Sequence, residues 1–204
     1  MKKNTIEGRI SLGINIGGLK TIYSRYLKKE GKFLTEVLLS DTSSRTIPSR
    51  ICYSDTHRLY GDTAGSLMKR FLSSSYSNIS RLIGFYLDKK ENIYNEEIKY
   101  FYPSSFNIGL GNFNIYHDEK VESSTIIADY LSLINNYYFK EKKITYDYCT
   151  FSVPDYYTAH QKLILKHIAE AIGMKDIDII NESTAITLYY GYTRYKDIFI
   201  NQKK

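Results

Sequence analysis

Apolar and polar residues alternate near the start of the chain, a pattern typical of a β-strand with one buried face. Gly17 and Gly18 follow this run and predict a tight turn, because adjacent glycines adopt turn conformations without strain. Residues 21–27 then read as the returning strand and residues 33–39 as a third strand. The alternating apolar positions are Ile10, Leu12, Ile14 and Ile16.

Residues 149–191 predict a strand, a helix, a second strand and a second helix. The first strand ends at Pro154, since proline donates no ladder hydrogen bond, and the helix after it ends at Gly173. The second strand leads to Asn181, a good N-cap, and Gly191 closes the last helix. Such a βαβα unit implies two parallel strands joined by a right-handed crossover. The first helix has an apolar stripe formed by Leu163, Ile164, Leu165, Ile168, Ala169 and Ile172.

The middle of the chain is less regular. Pro48 lies in a predicted loop, a short strand follows near residues 51–53, and a helix opens near Gly61. The tyrosine- and asparagine-rich run from Asp88 to Asp118 predicts hairpin strands rather than an RNA-stacking surface.

An amphipathic helix follows this middle region. Ser123 or Ser124 is placed to cap it, and apolar residues then recur at the helical period. This stripe, which predicts a helix packed on the core, comprises Ile127, Tyr130, Leu131, Ile134 and Tyr138.

Composition limits the classes of function. The 204 residues, 43% of them hydrophobic, suffice for one domain or two small subdomains. A net charge of +6, spread along the chain, permits contact with RNA or a ribosome without indicating one. Cys52 and Cys149 lie far apart, which fits a reducing compartment and neither a disulfide framework nor a zinc site. Because no run has the length of a membrane span or the core of a signal peptide, we expect a cytoplasmic protein without membrane contact.

The four histidines do not predict a metal site. His160 and His167 lie seven positions apart on one predicted helix, too far to share a metal ion without further ligands. His57 and His117 fall in predicted loops. We therefore assign no metal ligand.

Asn181 and Glu182 occupy the corner where ligands bind in open α/β sheets, between the carboxyl end of a strand and the start of a helix. A carboxylate at this corner can orient water or metal-bound water. In the structural alternative, Asn181 caps the helix and Glu182 complements its dipole. Local sequence alone favours this alternative.

Several segments resemble the ATPase domain of the 70-kDa heat-shock chaperones and their 110-kDa relatives. The matching runs are V-P-D-Y-Y-T-A-H-Q-K, A-I-G-M and I-I-N-E-S-T-A-I-T-L-Y-Y-G, preceded by R-T-I-P-S, H-R-L-Y-G-D-T-A and S-R-L-I-G. Ser183, where the 70-kDa chaperones usually have proline, leans toward the 110-kDa branch. The resemblance implies an α/β fold, the first lobe of an actin-like ATPase with a ribonuclease-H-like mixed sheet and flanking helices. It assigns residues 1–39 and 119–204 to that subdomain, and residues 40–118 to an inserted smaller α/β subdomain.

The same resemblance implies a vestigial nucleotide site. It places Gly17, Gly18, Leu19 and Glu182 at phosphate-facing positions, with Gly18 and Leu19 where the family usually has two threonines.

Two catalytic positions differ from the family pattern. Asn15 stands where the family has an aspartate near magnesium, and an amide carries no charge to hold the hydrated ion. Ser80 stands where a lysine helps to place the attacking water, and serine is short and uncharged. We therefore expect no ATP hydrolysis and assign no catalytic residue.

Three functional hypotheses follow. In the first, the chain is a degenerate, non-hydrolysing co-chaperone, exchange-factor-like protein or scaffold that needs no cofactor and binds a protein or a large complex, such as a chaperone or ribosome. In the second, it is a residual module that binds ATP or ADP with magnesium. In the third, it is the N-terminal fragment of a longer ATP-dependent chaperone, because the family's second lobe does not follow. The altered catalytic positions favour the first hypothesis.

Overall fold

A computed structural model describes residues 10–29, 32–84, 106–107, 112–114 and 120–195. Its strands are β1 (Ser11–Ile16), β2 (Lys20–Lys29), β3 (Lys32–Val37), β4 (Ile47–Pro48), β5 (Arg50–Tyr53), β6 (Arg58–Tyr60), β7 (Ser75–Ser77), β8 (Phe106–Asn107), β9 (Asn112–Asn114), β10 (Lys120–Val121), β11 (Tyr148–Val153) and β12 (Ile177–Asn181). Its α-helices are α1 (Gly61–Leu67), α2 (Ser123–Asn135), α3 (Ala159–Ala171) and α4 (Glu182–Tyr195).

The main sheet is mixed and has the strand order β12-β11-β1-β2-β3, with β4 paired to the start of β2. β1 runs parallel to β11, β11 runs parallel to β12, and β2 and β3 form an antiparallel meander on the other side of β1. The alternation in β1 is confirmed, since Leu12, Ile14 and Ile16 are buried while the intervening residues are partly exposed. The parallel pair predicted for the βαβα unit is β11 and β12.

Helices α2 and α3 cover the apolar face of this sheet and share one core with it. All five members of the stripe predicted for α2 are buried. Neither of the predicted caps, Ser123 or Ser124, is the N-cap, because the helix already begins at Ser123 and Glu122 holds the extended backbone of that position. After Asn135 the helix widens into a π-helical turn, Asn136–Glu141.

Helix α3 has well-defined ends. Thr158 and Gln161 form a reciprocal capping box at its start, and Gly173 takes a φ of 88° just after its end. The predicted glycine stop is therefore confirmed. Leu163 departs from the predicted apolar stripe, since its side chain is 50% exposed.

Helix α4 does not end at Gly191, as the sequence predicted, but continues to Tyr195. Gly191 is not among the glycines with positive φ, so it keeps ordinary helical backbone. An internal glycine costs a helix about 1 kcal/mol, which neighbouring turns can absorb. Among the described residues, no helix combines the length and the apolar character that a membrane span requires.

Two smaller sheets lie beside the main sheet, one formed by β6, β5 and β7 and the other by β10, β9 and β8. The hairpin predicted between Asp88 and Asp118 is represented by the antiparallel strands β8 and β9, while the rest of that run lies outside the described residues. Within segment 40–118, β4 joins the main sheet, and Ile51 and Tyr53 of β5 and Tyr76 of β7 belong to the common core. The division into subdomains stays a prediction.

Candidate functional site

The carboxyl ends of three parallel strands meet at one edge of the main sheet. The register places Asn15 of β1 opposite Ser152 of β11, and Val153 opposite Asn181 of β12. Helix α4 begins immediately after β12, at Glu182. Strand order thus brings residues from distant parts of the chain to one point, where open α/β sheets bind ligands.

Asn15 connects these strand ends through its side-chain amide. Its Nδ2 donates to Ser152 Oγ at 3.1 Å and to Glu182 Oε1 at 2.6 Å. The opposite orientation of the amide would turn its oxygen toward the Glu182 carboxylate, an acceptor against an acceptor. Glu182 therefore fixes which atom of Asn15 faces it, and both amide protons are used.

The turn after β1 depends on glycine at one of its two positions. The Gly17 N–H donates to the Lys20 carbonyl at 3.0 Å, and a Cβ at Gly17 would lie 2.7 Å from that oxygen. A Cβ at Gly18 would make ordinary contacts of 3.9 Å with Asn78 Oδ1 and Ser80 Oγ. Gly17 is thus required by the close backbone approach, whereas Gly18 faces the segment that carries Ser80.

A chain of hydroxyl groups anchors this turn to the core. Tyr130 of α2 donates to Thr21 Oγ1 at 2.9 Å, and Thr21 and Ser49 hydroxyls lie 2.9 Å apart. Ser49 Oγ donates to the Gly17 carbonyl at 2.9 Å, and the Ser49 N–H donates to the Leu19 carbonyl at 2.9 Å. Burial raises the pKa of Tyr130, so this hydroxyl keeps its proton and remains a donor.

Ser80 lies in a short 3₁₀ turn, Ile79–Leu82, that packs against α2 and is hydrogen-bonded by Tyr157, just before α3. The Tyr157 hydroxyl donates to the Ser80 carbonyl, and burial raises the pKa of Tyr157. Gln161 Nε2 donates to the Ile83 carbonyl at 3.0 Å. The Ser80 hydroxyl is buried and has no hydrogen-bond partner in the described structure. The next residue, Arg81, is exposed.

The corner after β12 is held by two further contacts. Lys162 Nζ of α3 donates to Asn181 Oδ1 at 2.6 Å. Ser183 Oγ donates to Asp155 Oδ1 at 2.6 Å. The side-chain oxygens of Asn181 and Glu182 thus accept hydrogen bonds from other elements of the site.

The residues of this site that were not predicted include Ser152, Lys162 and Tyr157. A signal existed for Ser152, because strand alternation places it on the side of β11 opposite the buried Phe151 and Val153. Lys162 and Tyr157 carried no comparable signal, since their partners lie on other elements.

The donor set does not fit a magnesium ion. Glu182 Oε1 already accepts a 2.6 Å hydrogen bond from the Asn15 amide. The neighbour of this carboxylate is therefore a neutral donor, and not a second carboxylate that would add negative charge for a cation. Lys162 adds a positive charge beside Asn181. Within the described residues, no three His, Cys, Asp or Glu side chains cluster closely enough to hold a metal ion. Magnesium prefers carboxylate and phosphate oxygens, whereas the groups that face Glu182 and Asn181 here are N–H donors.

Comparison with known proteins places this arrangement in a family. The family model described as Hsp70 protein matches residues 11–201, which is nearly the whole chain. The chain belongs to the Hsp70 family. Its mixed sheet and flanking helices are therefore the N-terminal lobe of an Hsp70-family, actin-like ATPase domain.

The relatives of this Hsp70-family chain include heat-shock proteins of different lengths. It is 27% identical to the putative heat shock 70 kDa protein 7 of Homo sapiens, over 91% of the chain and 50% of the relative. It is 25% identical to heat shock protein hsp88 of Neurospora crassa, over 90% of the chain and 26% of the relative. With heat shock 70 kDa protein II of Paracentrotus lividus it shares 29% identity, over 89% of the chain and 48% of the relative. The chain thus spans half or less of the length of these relatives.

Membership of the family leaves the individual site assignments as predictions. The structure brings Asn15 into contact with Glu182 and sets Gly18 beside Ser80. Leu19 is 78% exposed at the tip of the turn. A phosphate-facing role for the two glycines, Leu19 and Glu182 remains to be tested.

Proposed function

We propose that this Hsp70-family lobe works by binding a protein partner and does not hydrolyse ATP. The partner is a protein or a large complex, such as a chaperone or a ribosome-associated assembly, and the chain serves it as a co-chaperone or scaffold. The observation that carries this proposal is the exposed apolar surface of α4. We also propose a cytosolic location, which the two buried free thiols of Cys52 and Cys149 favour.

Helix α4 presents large apolar side chains to solvent over most of its circumference. A helix that is apolar all round is normally buried, and a contiguous apolar patch on a protein surface commonly marks an interface. Tyrosine is enriched at interfaces because it combines a large apolar ring with a polar tip. The exposed residues, each between 59% and 68% accessible, are Ile186, Leu188, Tyr189, Tyr190 and Tyr192.

The site supports the absence of hydrolysis. Phosphoryl transfer depends on metal and cationic groups that neutralise the developing charge. In this chain the Asn15 amide is neutral and donates its hydrogen bonds to Ser152 and Glu182. Ser80 has a neutral hydroxyl in place of a cationic group. Removing one group that stabilises a transition state commonly lowers the rate by about 10²–10³-fold. Changes at two such positions should therefore lower the rate of hydrolysis severely.

We expect glutamate substitutions on α4 to abolish partner binding. Ile186→Glu combined with Tyr190→Glu changes two exposed residues one helical turn apart. Burying two carboxylates in an apolar interface is unfavourable, so affinity should fall at least about 100-fold. Native mass spectrometry of the complex isolated from cells, before and after nuclease treatment, identifies the partner and any RNA dependence. Titration of that partner measures the loss.

Leu163→Glu is the control for each single change, because it adds one glutamate at a half-exposed leucine of α3. It should retain the partner at wild-type affinity. Equal loss in the control would show a general charge effect, and full retention in the double variant would exclude α4 as the interface. If the complex dissociates on nuclease treatment, the partner is RNA and the proposed protein partner is wrong.

Restoring the two family residues should not restore turnover. We expect the double variant Asn15→Asp with Ser80→Lys to release no phosphate from ATP above background, since positioning and charge are needed throughout a nucleotide site. The measurement is steady-state phosphate release with ATP and magnesium, with an active Hsp70-family protein as positive control. Detectable turnover would contradict the expectation that the rest of this site, beyond Asn15 and Ser80, is also unable to support hydrolysis.

Residual nucleotide binding is the second candidate. The buried Ser80 hydroxyl lacks a partner and lies near Gly18, which favours an acceptor such as a phosphate oxygen at this place. Calorimetry with ATP, with and without magnesium, separates this candidate from the first. Binding at micromolar concentration would favour it, and the absence of heat together with a bound partner would favour the first.

A further inference from the structure

A single amide joins the three strand ends of the site. Asn15 Nδ2 is the donor in both contacts, to Glu182 at 2.6 Å and to Ser152 at 3.1 Å. Both partners are partly buried, where a carboxylate without a positive or donor neighbour is costly. The amide supplies that neighbour from within the chain.

We infer that Asn15 is a specificity-determining residue that makes this site independent of divalent cations. The resemblance to the heat-shock chaperones implies an aspartate at this position, which would face Glu182 as a second carboxylate. Two carboxylates at this spacing repel each other unless a cation or proton lies between them. The amide removes that requirement, because its N–H groups satisfy the Glu182 oxygen directly.

The neighbouring charged groups also disfavour a divalent cation at this site. Lys162 Nζ is held 2.6 Å from Asn181 Oδ1, on the residue adjacent to Glu182. Asp155, the other carboxylate of this corner, accepts from Ser183. A divalent cation entering the site would meet the amide protons of Asn15 and the ammonium group of Lys162. Metal exclusion therefore rests on two donors from different elements.

This inference is separate from the proposed partner binding, since one is measured at Asn15 and the other on α4. Either can fail while the other stands.

The test compares thermal unfolding of the 204-residue chain in chelator and in millimolar magnesium chloride. The wild-type melting temperature should be the same in both, and magnesium chloride alone should give no binding heat. Asn15→Asp, which is isosteric, should melt about 5 °C lower in chelator and regain stability in magnesium. Exposed Asn136→Asp is the matched control for the change of residue type and should show neither effect.

A second variant keeps the test decisive if Asn15→Asp does not fold. Asn15→Asp with Glu182→Gln reverses the roles of amide and carboxylate, so it should melt within about 2 °C of wild type and ignore magnesium. The inference is overturned if magnesium stabilises or binds the wild type. It is also overturned if Asn15→Asp in chelator is as stable as wild type, or if the reversed pair responds to magnesium.

Discussion

Gly84→Ala should lower the free energy of unfolding by about 3 kcal/mol. Gly84 has a φ of 71°, and an added Cβ would lie 2.5 Å from Gln161 Cγ and 3.2 Å from Gln161 Cα. The left-handed backbone alone costs an alanine about 1–2 kcal/mol. Gln161 cannot move aside cheaply, because its side chain bonds both the Thr158 N–H and the Ile83 carbonyl.

Gly173→Ala is the control that separates the two causes. Gly173 has a φ of 88°, but nothing lies within 4 Å of its Cβ position. It should cost about 1 kcal/mol, the backbone effect alone. Urea unfolding of both variants measures the difference. Equal losses of stability would mean that the close approach of the added Cβ to Gln161 costs nothing beyond the backbone effect.

The same substitution at Gly84 should loosen the turn that carries Ser80. Hydrogen exchange of the Arg81 and Ile83 amides, which donate within this turn, reports the change directly. We expect faster exchange at these two amides in Gly84→Ala and unchanged exchange in Gly173→Ala.

The chain should lose stability steeply above about pH 10, the second large effect. Burial, together with neighbouring tyrosines or Asp129 in some cases, raises the pKa of several tyrosines above the ordinary value of about 10, and five of these have buried side chains. The folded state therefore holds these protons more tightly than the unfolded state. Their stabilising contribution is complete below about pH 10 and is lost as the pH rises toward the folded-state pKa values. The five residues are Tyr23, Tyr53, Tyr130, Tyr138 and Tyr157.

Each such tyrosine contributes a slope of about 1.4 kcal/mol per pH unit once the unfolded chain is ionised. Five together give about 7 kcal/mol per pH unit, comparable to the whole stability of a typical domain. We expect cooperative unfolding near about pH 11, with tyrosinate absorbance and loss of circular dichroism rising together.

Two tyrosine variants control this experiment. Tyr138→Phe removes one buried hydroxyl and should reduce the slope by about 1.4 kcal/mol per pH unit. Tyr23→Phe removes a second buried hydroxyl and should reduce the slope by a similar amount. Ionisation of all tyrosines near pH 10 with native circular dichroism would contradict the expectation.

The regular elements of the fold could be predicted because their signals are local. Alternation in β1, the apolar stripe of α2 and the stop at Gly173 each depend on neighbours within a few residues. The stop predicted at Gly191 failed because a glycine ends a helix only where the chain turns into the left-handed conformation. No feature of the residue itself distinguishes Gly191 from Gly173.

The site could be predicted only in part because its contacts depend on strand order. Asn15 and Glu182 were each singled out, but their hydrogen bond joins residues 167 positions apart. Whether Glu182 faces an amide, a metal ion or solvent is decided by β1 lying beside β11. The unpartnered state of the Ser80 hydroxyl likewise follows from packing between separate elements.

The position of β1 between β2 and β11 has a consequence for synthesis on the ribosome. Its antiparallel partner follows at once, whereas its parallel partner lies far away, as the separation of 137 positions between Asn15 and Ser152 shows. At about 5–20 residues per second, β11 emerges roughly 7–27 s after β1. During that interval the nascent hairpin carries an open strand edge with apolar residues, a template for wrong pairing. The chain itself is thus expected to need protection while it is being made.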